Sequence, residues 1–181
     1  MTLTLKTERR AVAAEVRAAG RRLEGYAATF GSEARIGTFT ESIRAGAFAD
    51  TLADQHDILG LVDHDPGRVL ARTRSGTLKL KEDGHGLAFS LDVPDTAAGS
   101  DVLALAKRGD VGGMSFAFTV RQNGDRWAGD KRELRAVDLH EVSVVLAWPA
   151  YSNTTVNVRS LVGPGKMRSR LARLYLHSMR P

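Results

Sequence analysis

The chain of 181 residues contains no cysteine, few aromatic residues and no long apolar run. The absence of cysteine excludes disulfides, thiolate metal ligands and thiol nucleophiles. A membrane-spanning helix needs about 20 consecutive apolar residues, and no stretch of this sequence approaches that length. Residues 1–22 also lack the apolar core of a signal peptide. We therefore expect a protein without a membrane partner whose chemistry does not depend on thiols.

Positive charge is concentrated at the two ends of the chain. Residues 1–22 carry six Lys or Arg and two Glu, and residues 160–181 carry five Lys or Arg and no acid. Because the whole chain has a net charge of +5, the body at 23–159 has a net charge of −4. A nucleic-acid groove would place its positive charge on the folded body, so we expect no sequence-specific nucleic-acid binding. Basic tails favour solvation or loose attraction to acidic partners instead.

Many short strand patterns and only two clear helix patterns run through the body of the chain. Strands are predicted at 23–31, 38–43, 58–62, 69–73, 77–81, 87–93, 112–120, 141–146 and 154–158. Helices are predicted at 44–53 and 95–108, the second capped by Asp95 or Thr96 and ended by Gly109. This pattern predicts a mostly β protein with flanking helices, closed or partly closed into an antiparallel β-barrel.

Three segments are expected along the chain. Residues 1–22 form a basic N-terminal segment, residues 23–159 form the folded domain, and residues 160–181 form a basic tail. The glycines and proline at 163–165 indicate a hinge at the start of that tail.

Ser115 lies in an alternating segment, Gly-Gly-Met-Ser-Phe-Ala-Phe-Thr-Val at 112–120. Such a strand has one bulky apolar face and one small face that carries Ser115, Ala117 and Thr119. Because two glycines leave space beside it, we expect another molecule to reach the Ser115 hydroxyl. A lone serine in a strand is more often a packing residue, so its interpretation depends on its partners.

Two further residues complete a candidate catalytic group with Ser115. His64 follows the apolar run at 58–62, and a strand end is a rigid mount for a catalytic base. Glu141 begins another apolar strand, where a carboxylate needs a partner such as an imidazolium. A serine hydroxyl becomes nucleophilic when an adjacent base takes its proton and a third group orients that base. His140 is next to Glu141, but neighbours in a strand face opposite ways, so its side chain should lie away from this group.

Metal binding is the main rival chemistry. Asp63, His64 and Asp65 are close in sequence, and His85 and His140 are available, but their spacing fits no helical or knuckle pattern. We therefore predict neither a metal nor a cofactor. The Gly-x-Ser-x-Gly elbow of the α/β-hydrolases is also absent from this chain, because an alanine stands two positions after the serine.

Several sequence blocks, taken together in order, resemble a known family. The blocks are Glu24-Gly-Tyr-Ala-Ala-Thr-Phe30, Phe39-Thr-Glu-Ser-Ile43 with Gly46-Ala-Phe48, His64-Asp-Pro66 with Val69-Leu-Ala-Arg-Thr73, Ser75-Gly-Thr-Leu78 with Glu82-Asp83, Arg108-Gly-Asp-Val111, Met114-Ser-Phe116, and Asp138-Leu-His-Glu-Val-Ser143 with Pro149-Ala-Tyr151. They resemble the prohead, or capsid-maturation, proteases of tailed bacteriophages, whose fold is similar to that of the herpesvirus assemblin proteases. The resemblance covers residues 23–159 and places the family's catalytic histidine and serine on His64 and Ser115, and its acidic member on Glu141. Because the assemblins use a second histidine as the third member, the resemblance leaves His140 as the alternative to Glu141.

The resemblance implies a serine endopeptidase enclosed in the assembling prohead, in the cytoplasm of a bacterial host. Its substrates would be the scaffold protein or the scaffolding segment of the major capsid protein. It would also cleave itself, with the tail at 160–181 as a candidate for removal. Contacts with the portal or the prohead shell, and an oligomer, are compatible with this role. The alternative is a non-catalytic, scaffold- or capsid-binding barrel that attaches to acidic partners through its basic tails.

Overall fold

The computed structural model describes residues 6–12 and 16–147. The strands in these ranges are β1 (Glu8–Val12), β2 (Arg17–Ala19), β3 (Arg22–Thr29), β4 (Ala34–Ile36), β5 (Phe39–Ile43), β6 (Leu59–Val62), β7 (Asp65–Arg72), β8 (Leu78–Glu82), β9 (Gly86–Asp92), β10 (Gly113–Val120), β11 (Asp125–Ala128), β12 (Lys131–Leu134) and β13 (Val137–Val145). The helices are α1 (Ala49–Ala53) and α2 (Ala97–Arg108). No helix in the described ranges is long and apolar enough to cross a membrane. The predicted strand at 154–158 and the tail at 160–181 lie outside the described residues.

The described strands form three sheets rather than one closed barrel. Their strand orders are β1-β10-β13-β6-β7, β11-β12-β5-β4 and β2-β3-β9-β8. β13 pairs parallel with β6, and β12 pairs parallel with β5, whereas the other neighbouring strands are antiparallel. The prediction of a mostly β protein with few helices is confirmed. The closed antiparallel barrel is not found among the described residues. The sequence could not predict the parallel pairs, because they join strands that are far apart in the chain and no turn signal marks them.

The bulky face of β10 lies at the centre of the core. Met114, Phe116 and Phe118 on this face are completely buried. The Phe116 ring stacks on Phe118 with their centroids 5.3 Å apart and meets Phe48 edge-on at 5.6 Å. Burying each such side chain contributes about 1.5–3 kcal/mol. This burial fixes which way β10 faces, and it therefore directs Ser115 to the opposite side of the sheet.

Helix α2 begins and ends where the sequence predicts. The Thr96 hydroxyl accepts a hydrogen bond from the Gly99 amide at 3.2 Å, and Gly109 has a φ of 78°, in the left-handed region that favours glycine. The helix predicted at 44–53 is shorter, since α1 begins only at Ala49. The cause is Gly46, whose φ of 91° is incompatible with a helix.

Strand β1 joins the N-terminal segment to the sheet that carries Ser115. Arg10, on β1, is 6% exposed, and its Nε donates to Glu41 Oε1 at 2.5 Å. Arg132 also donates to Glu41, at 3.1 Å, and both arginines donate to Glu8. Part of the positive charge of the N-terminal segment is therefore buried in ion pairs inside the protein.

Candidate active site

His64 lies in a tight turn between β6 and β7. Val62 pairs with Asp65, so Asp63 and His64 form a two-residue hairpin loop. Their φ values of 50° and 61° both lie in the left-handed region, as in a type I′ turn, where glycine and asparagine are preferred. Residues with side chains in such a conformation carry strain of about 1–3 kcal/mol each. The strain is thus located at the residue that the sequence predicts to be the base.

Strand β13 and the residue after it hold this turn in place. The Asp63 amide donates to the Val144 carbonyl at 3.0 Å, and Asp63 Oδ1 accepts from the Leu146 amide at 2.9 Å. The imidazole of His64 contacts Glu141 through Nδ1 and Oε1. Because both turn residues are tied to one strand, the position of the imidazole relative to Glu141 is set by the sheet. The sequence suggested only a metal-ligand role for Asp63, whereas here it fastens the turn.

The His64–Glu141 pair is largely shielded from solvent, with side-chain exposures of 17% and 10%. The imidazole is held through Nδ1, so Nε2 is the ring nitrogen that this contact leaves available. In a serine hydrolase, the ring nitrogen opposite the carboxylate is the one that acts as the base. Arg9 Nε lies 3.8 Å from Glu141 Oε1 and places a positive charge beside the carboxylate.

Ser115 projects from the same face of the five-stranded sheet as Glu141. In the pairing of β10 with β13, Ser115 is opposite Ser143 and Ala117 is opposite Glu141. Directly opposite residues share a face, and so do residues two apart along a strand. The sheet therefore places Ser115 on the face where Glu141 contacts His64.

The hydroxyl of Ser115 is bonded to β1 rather than to His64. It donates to the Arg10 carbonyl at 2.8 Å, and no hydrogen bond joins it to His64 among the described residues. Ser115 is 1% exposed, so the expectation of a readily reached hydroxyl is wrong. β10 is an interior strand with β1 on one side and β13 on the other, and β1 supplies the carbonyl that binds this hydroxyl. A change of χ1 would release the hydroxyl from Arg10.

His140 does not lie on the opposite face from Glu141, as simple alternation predicted. The register between β10 and β13 shifts by one residue at His140, which makes it the extra residue of a β-bulge. Its Nε2 lies 3.1 Å from the Thr119 hydroxyl, and Thr119 shares the face of Ser115. The sequence argument against His140 therefore fails, but the group that contacts His64 is the carboxylate of Glu141.

Two candidate metal ligands remain: Asp65 Oδ1 accepts from the Gly67 amide at 2.8 Å, and His85 packs edge-on against Tyr26 with ring centroids 4.5 Å apart. No group of three or more metal-binding side chains lies together in the described part of the chain.

The amide of Gly112, near the start of β10, donates to the Val145 carbonyl at 2.8 Å. That amide is therefore committed to the sheet and is not free to hold an oxyanion.

A serine, an imidazole and a carboxylate on one face of a sheet are the parts of a serine hydrolase. A family model described as Caudovirus prohead serine protease matches residues 6–164. The chain belongs to this family and is a serine peptidase of bacteriophage capsid assembly. The catalytic interpretation is thereby preferred over the non-catalytic binding barrel.

Among solved structures, the fold is similar to that of the bacteriophage T4 capsid assembly protease, gp21. The TM-score is 0.53 at 12% sequence identity, with 78% of this chain and 96% of the T4 chain covered. At that identity, the similarity is evidence for the fold alone. No match was found among curated proteins. The likeness to the herpesvirus assemblin fold stays a prediction.

Proposed function

We propose that His64, Ser115 and Glu141 are the catalytic triad of this peptidase. The observation that carries the proposal is the contact between His64 and Glu141 on the sheet face that holds Ser115. We further propose that the substrate is the scaffold protein or the scaffolding segment of the major capsid protein, cleaved inside the assembling prohead in the host cytoplasm. Membership of the prohead protease family supports this substrate class. Self-cleavage that removes residues 160–181 is part of the proposal.

In the proposed reaction, the Ser115 hydroxyl first turns from the Arg10 carbonyl toward His64. Its proton passes to Nε2 as Oγ attacks the substrate carbonyl, while Glu141 keeps the imidazole oriented and stabilises the imidazolium that forms. The tetrahedral intermediate collapses, the proton passes from Nε2 to the leaving amine, and an acyl-enzyme remains. Water then attacks the ester while His64 takes its proton, and Ser115 is regenerated.

Co-expression with a major capsid protein that carries its scaffolding segment tests this proposal. Ser115→Ala should abolish cleavage while the protein still folds, with a small fall in melting temperature because the Arg10 carbonyl loses its hydrogen bond from the hydroxyl. Ser90→Ala is the matched control, since Ser90 donates to Glu24 at 3.3 Å in another sheet and should process normally. Intact masses of the same samples test self-cleavage. Continued processing by Ser115→Ala would remove Ser115 from the mechanism.

A further inference from the structure

Ser143 has an unusual environment for a hydroxyl. Among the side-chain polar atoms that the structure describes, its Oγ is the one that is buried without a hydrogen-bond partner. The residue is 0% exposed. A buried hydroxyl without a partner is less favourable than the methyl group of alanine at the same position, and native proteins keep few such groups. Packing alone therefore does not account for a serine here.

The position of Ser143 in the sheet places it in the middle of the proposed triad. It is directly opposite Ser115 in the pairing of β10 with β13, and it follows Glu141 by two residues, so all three share a face. In the parallel pairing of β13 with β6, Ser143 is beside Leu61, and the turn that carries His64 comes after β6. His64 therefore comes after the level of Ser143 along the sheet, and its side chain must extend back past Ser143 to contact Glu141.

The hydroxyls of Ser115 and Ser143 are within reach of each other. The Cβ atoms of directly opposite residues in an antiparallel pair are about 4.5–5.5 Å apart, a separation at which hydroxyl side chains form cross-strand hydrogen bonds. Ser115 is instead bonded to the Arg10 carbonyl at 2.8 Å. When Ser115 turns toward His64, it loses that contact, and Ser143 is the neighbouring group that has a free donor.

We propose that Ser143 is a positioning residue for the nucleophile: its hydroxyl donates a hydrogen bond to Ser115 Oγ once Ser115 has turned toward His64. This bond holds Ser115 in the reactive rotamer and stabilises the negative charge that develops on Oγ as His64 takes the proton. Ser143 keeps its own proton throughout. The inference rests on the proposed triad, and it adds the group that replaces Arg10 as the partner of Ser115.

The reaction of the full chain with a fluorophosphonate tests this inference without a natural substrate. In that reaction Ser115 Oγ bonds to phosphorus, fluoride leaves and His64 takes the proton. Ser143→Ala should slow adduct formation roughly tenfold, the change that loss of one ordinary hydrogen bond produces. The pH at which the rate is half-maximal should not move. The melting temperature should stay the same or rise, because the substitution removes an unpaired buried hydroxyl.

A merely structural role for Ser143 predicts the reverse result, a lower melting temperature with the wild-type rate, and would overturn the inference. Thr119→Val is the matched control, because it removes a hydroxyl from the same strand face and should leave the rate unchanged. Ser143→Cys keeps a side chain of similar size with a weak donor and should also slow the reaction. It serves as the second test if Ser143→Ala does not fold.

The same measurements separate this inference from the triad itself. Ser115→Ala should lose all labelling, and labelling that persists at the wild-type rate would overturn the triad. If Ser115→Ala is unlabelled but both Ser143 variants react at the wild-type rate, only the role of Ser143 is overturned. A shifted pH profile with an unchanged maximal rate in the Ser143 variants would also overturn it, since Ser143 would then act on His64 rather than on the nucleophile.

Discussion

Glu141 sets both the orientation and the electrostatic surroundings of the His64 imidazole. Its Oε1 contacts Nδ1, and both side chains are largely buried. In the proposed mechanism Nε2 accepts a proton, and an imidazolium forms where water screens poorly. A carboxylate in contact with it would stabilise that charge more than it would in water. The contribution of Glu141 should therefore appear in the chemical step rather than in folding.

Glu141→Gln should lower the rate at which Ser115 reacts with a fluorophosphonate by about 10²–10⁴-fold. An amide can still hydrogen-bond to the ring, but it cannot balance the imidazolium charge and it can select the wrong tautomer. The rates are measured by mass spectrometry of the adduct. His140→Ala is the comparison, because the adjacent imidazole contacts Thr119 and its removal should have little effect. If His140→Ala loses the rate and Glu141→Gln keeps it, His140 is the third member.

At the level of single residues, the sequence identifies candidate site residues better than it predicts their contacts. A histidine after an apolar run and a glutamate at the head of a strand could be singled out from local pattern. The partner of the Ser115 hydroxyl is a backbone carbonyl 105 residues earlier in the chain, which no local pattern indicates. The face of His140 also escaped prediction, because a bulge depends on how two strands pair and not on the alternation of one.

Among the elements, β1 stands out because charged contacts attach it to the second sheet. Arg10 on β1 and Arg132 on β12 share the carboxylate of Glu41 on β5, and all three side chains are buried. A strand with so few large apolar residues could be interpreted from sequence only as a frayed strand or a weak helix. Its place in the sheet follows from ion pairs with distant residues, and these leave no periodic signal.

Glu41→Ala should lower the free energy of unfolding by about 1.5–3 kcal/mol, because two buried guanidinium groups lose hydrogen bonds to Glu41 and keep Glu8 as their shared carboxylate. Urea unfolding followed by circular dichroism measures the change. Glu33→Ala is the control, because the Glu33–Lys131 pair lies at the surface and such pairs contribute little. If the two variants are equally stable, the contacts with Glu8, rather than those with Glu41, hold β1.

On the scale of the whole molecule, stability is linked to carboxylates that must remain charged. Burial raises the pKa of Glu8, but hydrogen bonds from Arg132 and Arg10 outweigh it, so that the pKa lies below its ordinary value of 4.5. Burial likewise lowers the pKa of Arg10, and its bonds to Glu41 and Glu8 outweigh that effect and raise it. The arginines therefore stay charged at every working pH, and the carboxylate is the group that titrates.

A carboxyl group with a lowered pKa in the folded state contributes stability that is present above its unfolded pKa and is lost as the pH falls through the folded value. We therefore expect stability to decline below about pH 4.5, the ordinary pKa of Glu8. Glu8→Gln should be less stable than wild type at neutral pH and should lose less stability on acidification. Melting temperatures between about pH 7 and pH 3 test this. Parallel curves for the two proteins would show that other carboxylates carry the acid sensitivity.

The sequence predicts the strand content of the fold but not which strands pair with each other. The spacing of short strands predicts a mostly β protein, as found. Which strands are neighbours depends on pairings such as Glu141 with Leu59, which are far apart in the chain and parallel. Hairpins are visible in sequence because their turn residues are local, whereas parallel neighbours are not. The family match from residue 6 agrees with the presence of β1 in the sheet of Ser115.

The left-handed backbone at His64 also bears on attempts to make this enzyme more durable. Glycine or asparagine fits such a turn better than histidine does, yet neither could act as the base of the proposed triad. A screen for thermal stability that does not measure activity would therefore favour substitutions of His64 and would select variants without the proposed base. In the proposed mechanism, stability and activity therefore make opposite demands on position 64, and a selection for thermal stability must keep histidine there.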